Sequence, residues 1–224
     1  FQVLLDNLIM LVTRPSGYFH AAGRLISDVF NQGLIARSAL GLGYRFFYAA
    51  TLAKQLKQEK IQHLHVHFAH IPTDIAMYAA PMAGIGFSVQ AHANDLFERG
   101  WLLKKKVARS AFFATISEFN QRFLENLDAD FKKIKIIRCG VDQGWQPPAK
   151  PTQKNEIFTI GTVGRLVEKK GIETLIDAIS TLVKSDRKVC LKIAGNGPLE
   201  SALKNQAVSL GLTDESVQFV GALP

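Results

Sequence analysis

Residues 164–171 read Gly164-Arg165-Leu166-Val167-Glu168-Lys169-Lys170-Gly171, and they join two segments with different hydrophobic patterns. Before them, Ile157–Val163 is a short apolar run that predicts a buried strand. After them, apolar residues recur every three or four positions from Ile172 to Val183, as in an amphipathic helix. A strand, a loop and a helix in this order predict one unit of a parallel α/β sheet, with the loop at the carboxyl end of the strand.

Two cations in this loop, Arg165 and Lys170, flank the start of the predicted helix. Free backbone N–H groups and the helix dipole favour an anion at such a position. An added guanidinium and ammonium favour a diphosphate over a neutral ligand. The loop alone leaves a second interpretation open, in which both residues are ordinary surface cations.

Strand-like and helix-like segments alternate along the rest of the chain, after a helical pattern over the first 58 or so residues. The predicted strands are Ile61–Phe68, Phe87–Ala91, Ala111–Ile116, Ile134–Arg138, Ile157–Val163, Val189–Ala194 and Val217–Val220. A proline-rich stretch, Gly144–Pro151, separates the first four strands from the last three. We expect an α/β protein with two Rossmann-like domains that face a cleft. The predicted divisions are a partial N-terminal domain (1–143), a linker (144–155) and a partial C-terminal domain (156–224).

Composition favours a globular protein with anionic partners. The 224 residues are 47% hydrophobic and 21% charged, with a formal net charge of +8. A basic surface suits nucleic acid, an anionic membrane or a phosphorylated substrate, but no nucleic-acid motif accompanies it, so we expect no nucleic-acid partner. Cys139 and Cys190 each stand alone, which predicts a reduced, cytoplasmic compartment. The chain lacks an initiating Met and stops directly after a strand, so we expect a fragment of a longer protein.

Six segments in register resemble the retaining glycosyltransferases of family four, the glycosyl transferases group 1, which have the GT-B fold. They are Gly164-Arg165-Leu166 with Lys170-Gly171, His65-Val66-His67-Phe68, Gln90-Ala91-His92-Ala93-Asn94-Asp95, Ile136-Ile137-Arg138-Cys139-Gly140-Val141-Asp142, Ala194-Gly195-Asn196-Gly197-Pro198-Leu199 and Val217-Gln218-Phe219-Val220-Gly221. The third segment departs from the family pattern, with Gln90 and Ala91 in place of the usual residues. The glycine-rich first loop and the paired-glutamate segment of the family are absent, and we expect this fragment alone to be inactive.

The resemblance implies a retaining transfer of sugar from a UDP- or GDP-sugar to a glycan or lipid-linked acceptor, in polysaccharide or glycolipid assembly. It implies three catalytic residues: His92, Arg165 and Lys170. It also implies contacts to the substrates from Gly164, Asn94, Asp95, Gly195, Asn196, Ala222 and Leu223. No cofactor and no metal are expected, because Arg165 and Lys170 supply the charge that stabilises the leaving diphosphate.

Two other functions stay open at this point. A nucleotide-sugar epimerase can share the same fold. A noncatalytic, basic nucleotide- or nucleic-acid-binding module is the alternative from a different class. Donor turnover separates the transferase from the binding module, because only the enzyme consumes a nucleotide sugar.

Several side chains allow a structural interpretation beside the functional one. The alternating His63, His65 and His67 lie on one face of a strand and could hold a metal, line a cleft or pack under a loop. His92 ends a strand, where α/β sites assemble, although it could be a structural histidine. Asp95 could cap the next turn instead of binding substrate. The segment from Gly195 could serve only as a tight turn into a helix.

A basic cluster, Lys104-Lys105-Lys106 with Arg109, belongs to the same predicted domain as the amphipathic, aromatic-containing first 58 or so residues. Each Lys or Arg near an anionic lipid surface contributes about 1 kcal/mol. The cluster therefore predicts peripheral binding at the inner face of a membrane. The alternative is a solvated basic helix.

Overall fold

The computed structural model describes residues 1–140, Gly144 and residues 157–223. The chain divides into two compact units, Phe1–Trp145 and Gln146–Pro224, each with its own sheet and hydrophobic core. The predicted linker lies outside the described residues except for Gly144, as do Val141 and Asp142 of the motif before it.

The N-terminal unit has a parallel sheet in the order β1-β2-β3-β4, formed by β1 (His63–His67), β2 (Gly86–Gln90), β3 (Phe113–Thr115) and β4 (Ile134–Ile136). Its helices are α1 (Gln2–Thr13), α2 (Pro15–Gln32), α3 (Arg37–Gln58), α4 (Ile71–Ala83), α5 (Asn94–Phe97), α6 (Leu103–Arg109) and α7 (Glu118–Asn126). Because the strands are parallel, their carboxyl ends and the loops that follow them share one edge of the sheet.

The C-terminal unit has a parallel sheet in the order β5-β6-β7, formed by β5 (Phe158–Val163), β6 (Val189–Ala194) and β7 (Val217–Gly221). Its helices are α8 (Ile172–Lys184) and α9 (Glu200–Ser209), and a 3₁₀ turn, Glu168–Lys170, precedes α8. The predicted α/β class with parallel sheets is confirmed.

The apolar stripe that predicted α8 is the part of the helix that faces the core. Ile172, Ile176 and Ile179 are buried in one cluster with Leu191 and Ile193 of β6. Burial of each such side chain contributes about 1.5–3 kcal/mol relative to exposure. This packing fixes α8, and with it the loop that enters the helix, against the sheet.

The core of the N-terminal unit is centred on α4, in which most residues after Pro72 are buried. The small side chains Ala49, Ala50 and Ala53 of α3 are fully buried beside it. Small residues let two helix backbones approach closely, so α3 and α4 form the tight centre of the helical layer. Among the described residues, no helix combines the length and the apolar composition that crossing a bilayer requires.

The predicted basic cluster on α6 does not form one exposed face. Lys106 is completely buried and lies 2.7 Å from the carboxylate of Asp74 on α4. Lys105 and Arg109 both bind the buried carboxylate of Asp28 on α2, at 2.9 and 2.6 Å. The prediction that these four cations face a membrane together is therefore wrong, because three of them neutralise buried carboxylates on neighbouring helices.

Candidate active site

Two loops of the C-terminal unit are tied together at the carboxyl edge of its sheet. The backbone N–H of Gly164, directly after β5, donates to the carbonyl of Ala194 at the end of β6 (2.9 Å). Leu166 N donates to the carbonyl of Asn196 (2.9 Å), and the Leu166 side chain is buried as an anchor. The loop with the two predicted cations is thus held in place by the loop that follows the neighbouring strand.

A third loop joins them after β7. Gly195 N donates to the carbonyl of Gly221 (2.7 Å), which is followed by the exposed Ala222 and Leu223. The structure therefore brings five predicted substrate-binding residues to this edge of the C-terminal sheet: Gly164, Gly195, Asn196, Ala222 and Leu223. Their contact with a substrate stays a prediction.

Close backbone approach explains the two glycines of the second loop. A Cβ on Gly195 would overlap the carbonyl oxygen of Gly164, and a Cβ on Gly197 would overlap that of Leu166. Gly195 also has φ +139°, a conformation that residues with a side chain rarely adopt. Both glycines keep the backbones of two loops in contact, so this segment does more than turn the chain into α9.

Arg165 and Lys170 are exposed on this scaffold. Within residues 1–140 and 157–223, neither side chain forms an ion pair or a hydrogen bond, so no protein carboxylate in the described parts neutralises them. The Lys170 side chain passes over Gly164, where a Cβ would lie 3.8 Å from Lys170 Cε. Gly171 is the N-cap of α8, and the helix N-terminus adds a partial positive charge. The result is a rigid loop with unneutralised positive charge.

A second group of predicted site residues lies in the N-terminal unit, in the loop after β2. Asp95 is 1% exposed and its carboxylate accepts three backbone hydrogen bonds: from Ala69 (2.8 Å), from His92 (3.1 Å) and from Ala93 (2.9 Å). The carboxylate therefore links the loop after β1 to the loop after β2. Asp95 is the second residue of α5 and not its N-cap, so the expected cap on the next turn is replaced by a link between two loops. Direct substrate contact by Asp95 stays a prediction.

His92 is held on both its backbone and its ring. Its carbonyl accepts a hydrogen bond from the side-chain amide of Asn120, and its ring stacks on His67 with 6.0 Å between centroids. The ring of Phe68 lies 5.1 Å from it, measured between centroids. Asn94 follows closely as the first residue of α5. His92 is thus a fixed, partly exposed imidazole at the carboxyl edge of the N-terminal sheet.

The alternating histidines of β1 share a hydroxyl group and not a set of metal ligands. His63 Nε2 and His65 Nδ1 each lie 2.8 Å from Ser88 Oγ on β2. Burial lowers the pKa of His65, and the nearby His67 and His63 lower it further. In the described ranges, no group of three or more His, Cys, Asp or Glu side chains is arranged to hold a metal ion.

The structure also shows a buried charge cluster that the sequence did not indicate. Asp74 Oδ2 accepts a hydrogen bond from Arg45 (2.7 Å). Lys106 Nζ lies 2.7 Å from Asp74 Oδ1, at an angle outside hydrogen-bond geometry. Burial raises the pKa of Asp74, although both cations oppose this; burial lowers the pKa of Lys106. The three residues come from α3, α4 and α6, so no local sequence pattern connects them. The one available signal was an aspartate in the first turn of an otherwise apolar helix.

Two sequence profiles match the chain, and together they cover nearly all of it. Glycosyltransferase Family 4 matches residues 11–144, and Glycosyl transferases group 1 matches residues 145–224. These are the halves of a GT-B glycosyltransferase, in the order that the sequence predicted. The chain belongs to Glycosyltransferase Family 4.

The curated relatives that match carry the names of glycosyltransferases. The chain is 24% identical to the 2-deoxystreptamine glucosyltransferase of Streptomyces kanamyceticus, over 98% of this chain and 61% of that protein. It is 29% identical to a subunit of the phosphatidylinositol N-acetylglucosaminyltransferase of Arabidopsis thaliana over 92 residues, which are 41% of this chain and 20% of that protein. The chain spans less than two thirds of the length of these relatives.

Solved glycosyltransferases share the fold. Anabaena HepE in complex with UDP superimposes with a TM-score of 0.65 at 18% identity, over 78% of this chain and 51% of that one. The lipopolysaccharide outer core galactosyltransferase WaaB superimposes with a TM-score of 0.59 at 16% identity, over 80% of this chain and 49% of that one. The predicted GT-B fold class is therefore confirmed.

Proposed function

We propose that this chain is part of a retaining glycosyltransferase that transfers a sugar from a UDP- or GDP-sugar to a glycan or lipid-linked acceptor. The observation that carries this proposal is the pair of exposed cations, Arg165 and Lys170, on loops fixed by backbone contacts at the carboxyl edge of a parallel sheet. Family membership supports it, as does the similarity to HepE, which was solved with UDP.

The proposed chemistry depends on the charge that develops on the leaving group. Breaking the bond between the sugar and the diphosphate leaves negative charge on the phosphate oxygens, and fixed cations stabilise that charge in the transition state. Arg165 presents a planar fork of donors, and Lys170 adds a compact charge. With these groups and the start of α8 in place, we propose a transfer that needs no metal and no cofactor.

We assign to His92, on the N-terminal unit, a contact with the acceptor. Its ring is held by contacts with His67 and Phe68, so it can orient a hydroxyl group without rearrangement. Front-face attack, with the acceptor approaching on the side that the diphosphate leaves, retains the anomeric configuration without a carboxylate nucleophile. The family resemblance supports this retaining route.

We further propose that the protein acts on the cytoplasmic side, at a membrane where glycolipid or polysaccharide is assembled. Support comes from exposed apolar residues that recur on single helix faces: Leu4, Leu8 and Val12 on α1, and Phe19, Ile26 and Phe30 on α2. Such faces can lie in a lipid surface. Co-sedimentation with vesicles should fall when Leu4 and Leu8 become Gln; equal recovery of both proteins argues against membrane binding.

Donor turnover tests the proposed function. Proton NMR of the intact protein that contains this chain, with UDP-glucose or GDP-mannose and an acceptor, should show nucleoside diphosphate release with EDTA present, and a product with the anomeric configuration of the donor. His92→Ala should slow transfer and leave nucleoside diphosphate affinity unchanged. An inverted product contradicts the retaining mechanism, and turnover that EDTA abolishes contradicts the metal-free site.

A further inference from the structure

A cavity in the N-terminal unit lies beside the predicted acceptor side of the site. Its volume is about 280 Å³, and its lining consists of Arg45, His70, Ile71, Asp74, Arg99 and Trp101. Small-molecule pockets start at about 300 Å³, so this one suits a ligand the size of a single sugar or a phosphorylated group. It opens at the start of α4, on the edge of the sheet where the strands end.

The charges around this cavity favour an anion. The single carboxylate in its lining, Asp74, is already shared by Arg45 and the buried Lys106. No carboxylate in residues 1–140 or 157–223 pairs with the side chain of Arg99, which is exposed at the rim. Two guanidinium groups therefore face one neutralised carboxylate. Their planar forks bind the oxygens of a carboxylate or phosphate in pairs.

The cavity also has features that suit the rest of a sugar. Trp101 supplies a flat apolar wall, with the Arg45 guanidinium 5.5 Å from its ring centroid. His70 Nδ1 is buried and finds no hydrogen-bond partner within the described residues. An unpaired buried polar atom costs about 1–3 kcal/mol, so a hydroxyl or oxyanion that pairs with it gains affinity.

Phe68 connects this cavity to the predicted site. Its ring stacks on His70 at 5.4 Å and lies 5.1 Å from the ring of His92. Its backbone has φ +74°, which a residue with a bulky side chain rarely adopts and which is often stored at functional sites. The cavity and His92 are therefore separated by one aromatic ring on the same edge of the N-terminal sheet.

We propose that the cavity binds a carboxylate or phosphate group carried by the acceptor sugar, so that the acceptor is anionic. Arg99 and Arg45 hold the oxyanion, Trp101 packs against the sugar ring, and His70 Nδ1 makes a further hydrogen bond. The inference rests on the proposed transferase function, because it assigns the acceptor's chemical class to the part of the site that contains His92.

Calorimetric titration of the full chain with methyl glucuronide, glucose 6-phosphate and neutral methyl glucoside tests this. At least one anionic sugar should bind about tenfold or more tightly than methyl glucoside, and the tighter of the two identifies the oxyanion. Arg99→Gln should remove that preference. Arg37→Gln takes the same charge from an exposed position earlier on α3 and should keep it. The ¹⁵N resonance of His70 Nδ1 should move during the titration.

Equal affinity for all three sugars, or an anion preference that Arg99→Gln leaves intact, overturns the inference. Titration of the same protein with UDP reports on the C-terminal unit independently. UDP binding without a preference for anionic sugars defeats only the cavity assignment. If Arg99→Gln removes a preference for anionic sugars, the cavity assignment is supported whether or not UDP binds. Absence of UDP binding in that case contradicts the proposed donor site alone.

Discussion

The absence of a side chain at Gly197 keeps two loops of the candidate donor site in contact. Gly197→Ala should push the Leu166 backbone away and destabilise the C-terminal unit by about 1–3 kcal/mol, as overpacking does. It should also weaken UDP binding, because Arg165 moves with Leu166. Hydrogen exchange of the β5–β7 amides and UDP calorimetry measure the two effects. Gly161→Ala, on β5 with open space around it, is the control and should change neither.

Asp95 accepts its hydrogen bonds from backbone N–H groups, and the charge of Lys106 adds an attraction without a hydrogen bond between the two side chains. Asp95→Asn replaces one acceptor oxygen with a donor, so at least one of the N–H groups of Ala69, His92 and Ala93 loses its partner. A buried donor without a partner costs about 1–3 kcal/mol. Hydrogen exchange should accelerate at these three amides and transfer should slow. Unchanged hydrogen exchange at these amides would show that Asp95 does not hold the loop. Asp128→Asn makes the same substitution at an exposed position and is the control.

At the scale of elements, Asp28 joins three helices of the N-terminal unit. It lies on α2 and accepts hydrogen bonds from Tyr78 on α4 (2.8 Å) and from Lys105 and Arg109 on α6. Burial by itself raises the pKa of Asp28, but the bonds from Arg109, Lys105 and Tyr78 outweigh it and lower the pKa. This stabilisation is therefore complete above the unfolded-state pKa of about 3.9 and is lost as the pH falls through the lower folded-state pKa.

We therefore expect Asp28→Asn to lower the free energy of unfolding strongly at neutral pH and much less in acid. At about pH 7 the substitution should lower the free energy of unfolding by about 3 kcal/mol, since two cations lose a buried partner. Below about pH 4 the difference from the unmodified protein should shrink, because protonation of Asp28 in the unfolded chain lowers the free energy of unfolding of the unmodified protein. Urea unfolding, monitored through hydrogen exchange of the amides in α2 and α4, reports on the stability of this unit. A difference that is equal at both pH values contradicts the assigned role.

The same elements show which parts of the structure the sequence could predict. Local periodicity predicted α8 and β5, because each needs only its own apolar face. Residue type alone indicates the N-cap of α7, because Ser117 stands directly before the helix and its hydroxyl oxygen accepts from Asn120 N. The burial of Lys106 could not be predicted from periodicity, because its partner Asp74 lies 32 residues earlier on another helix. A run of cations has the same pattern whether it faces solvent or buried carboxylates.

For the whole molecule, the order of the motifs predicted the fold class and the family, because each motif lies on a strand or directly after one, near the edge where sites assemble. It did not predict the cavity of the N-terminal unit. Arg45, His70 and Trp101 come from three separate segments of the chain, and only the fold brings them together. Local sequence thus predicts the loop residues of each unit, such as Arg165 and His92, whereas the cavity depends on tertiary structure.

The most direct measurement of the central proposal is calorimetric titration of UDP and GDP into the chain and into Arg165→Gln and Lys170→Gln. Each substitution should weaken the preferred nucleotide about tenfold or more, because a charge-assisted hydrogen bond to phosphate contributes about 1.5–3 kcal/mol. Lys184→Gln, at the opposite end of α8, removes the same charge and should leave the affinity unchanged. Equal affinity in all four proteins, or no binding of either nucleotide by the unmodified chain, contradicts a diphosphate site at Arg165 and Lys170.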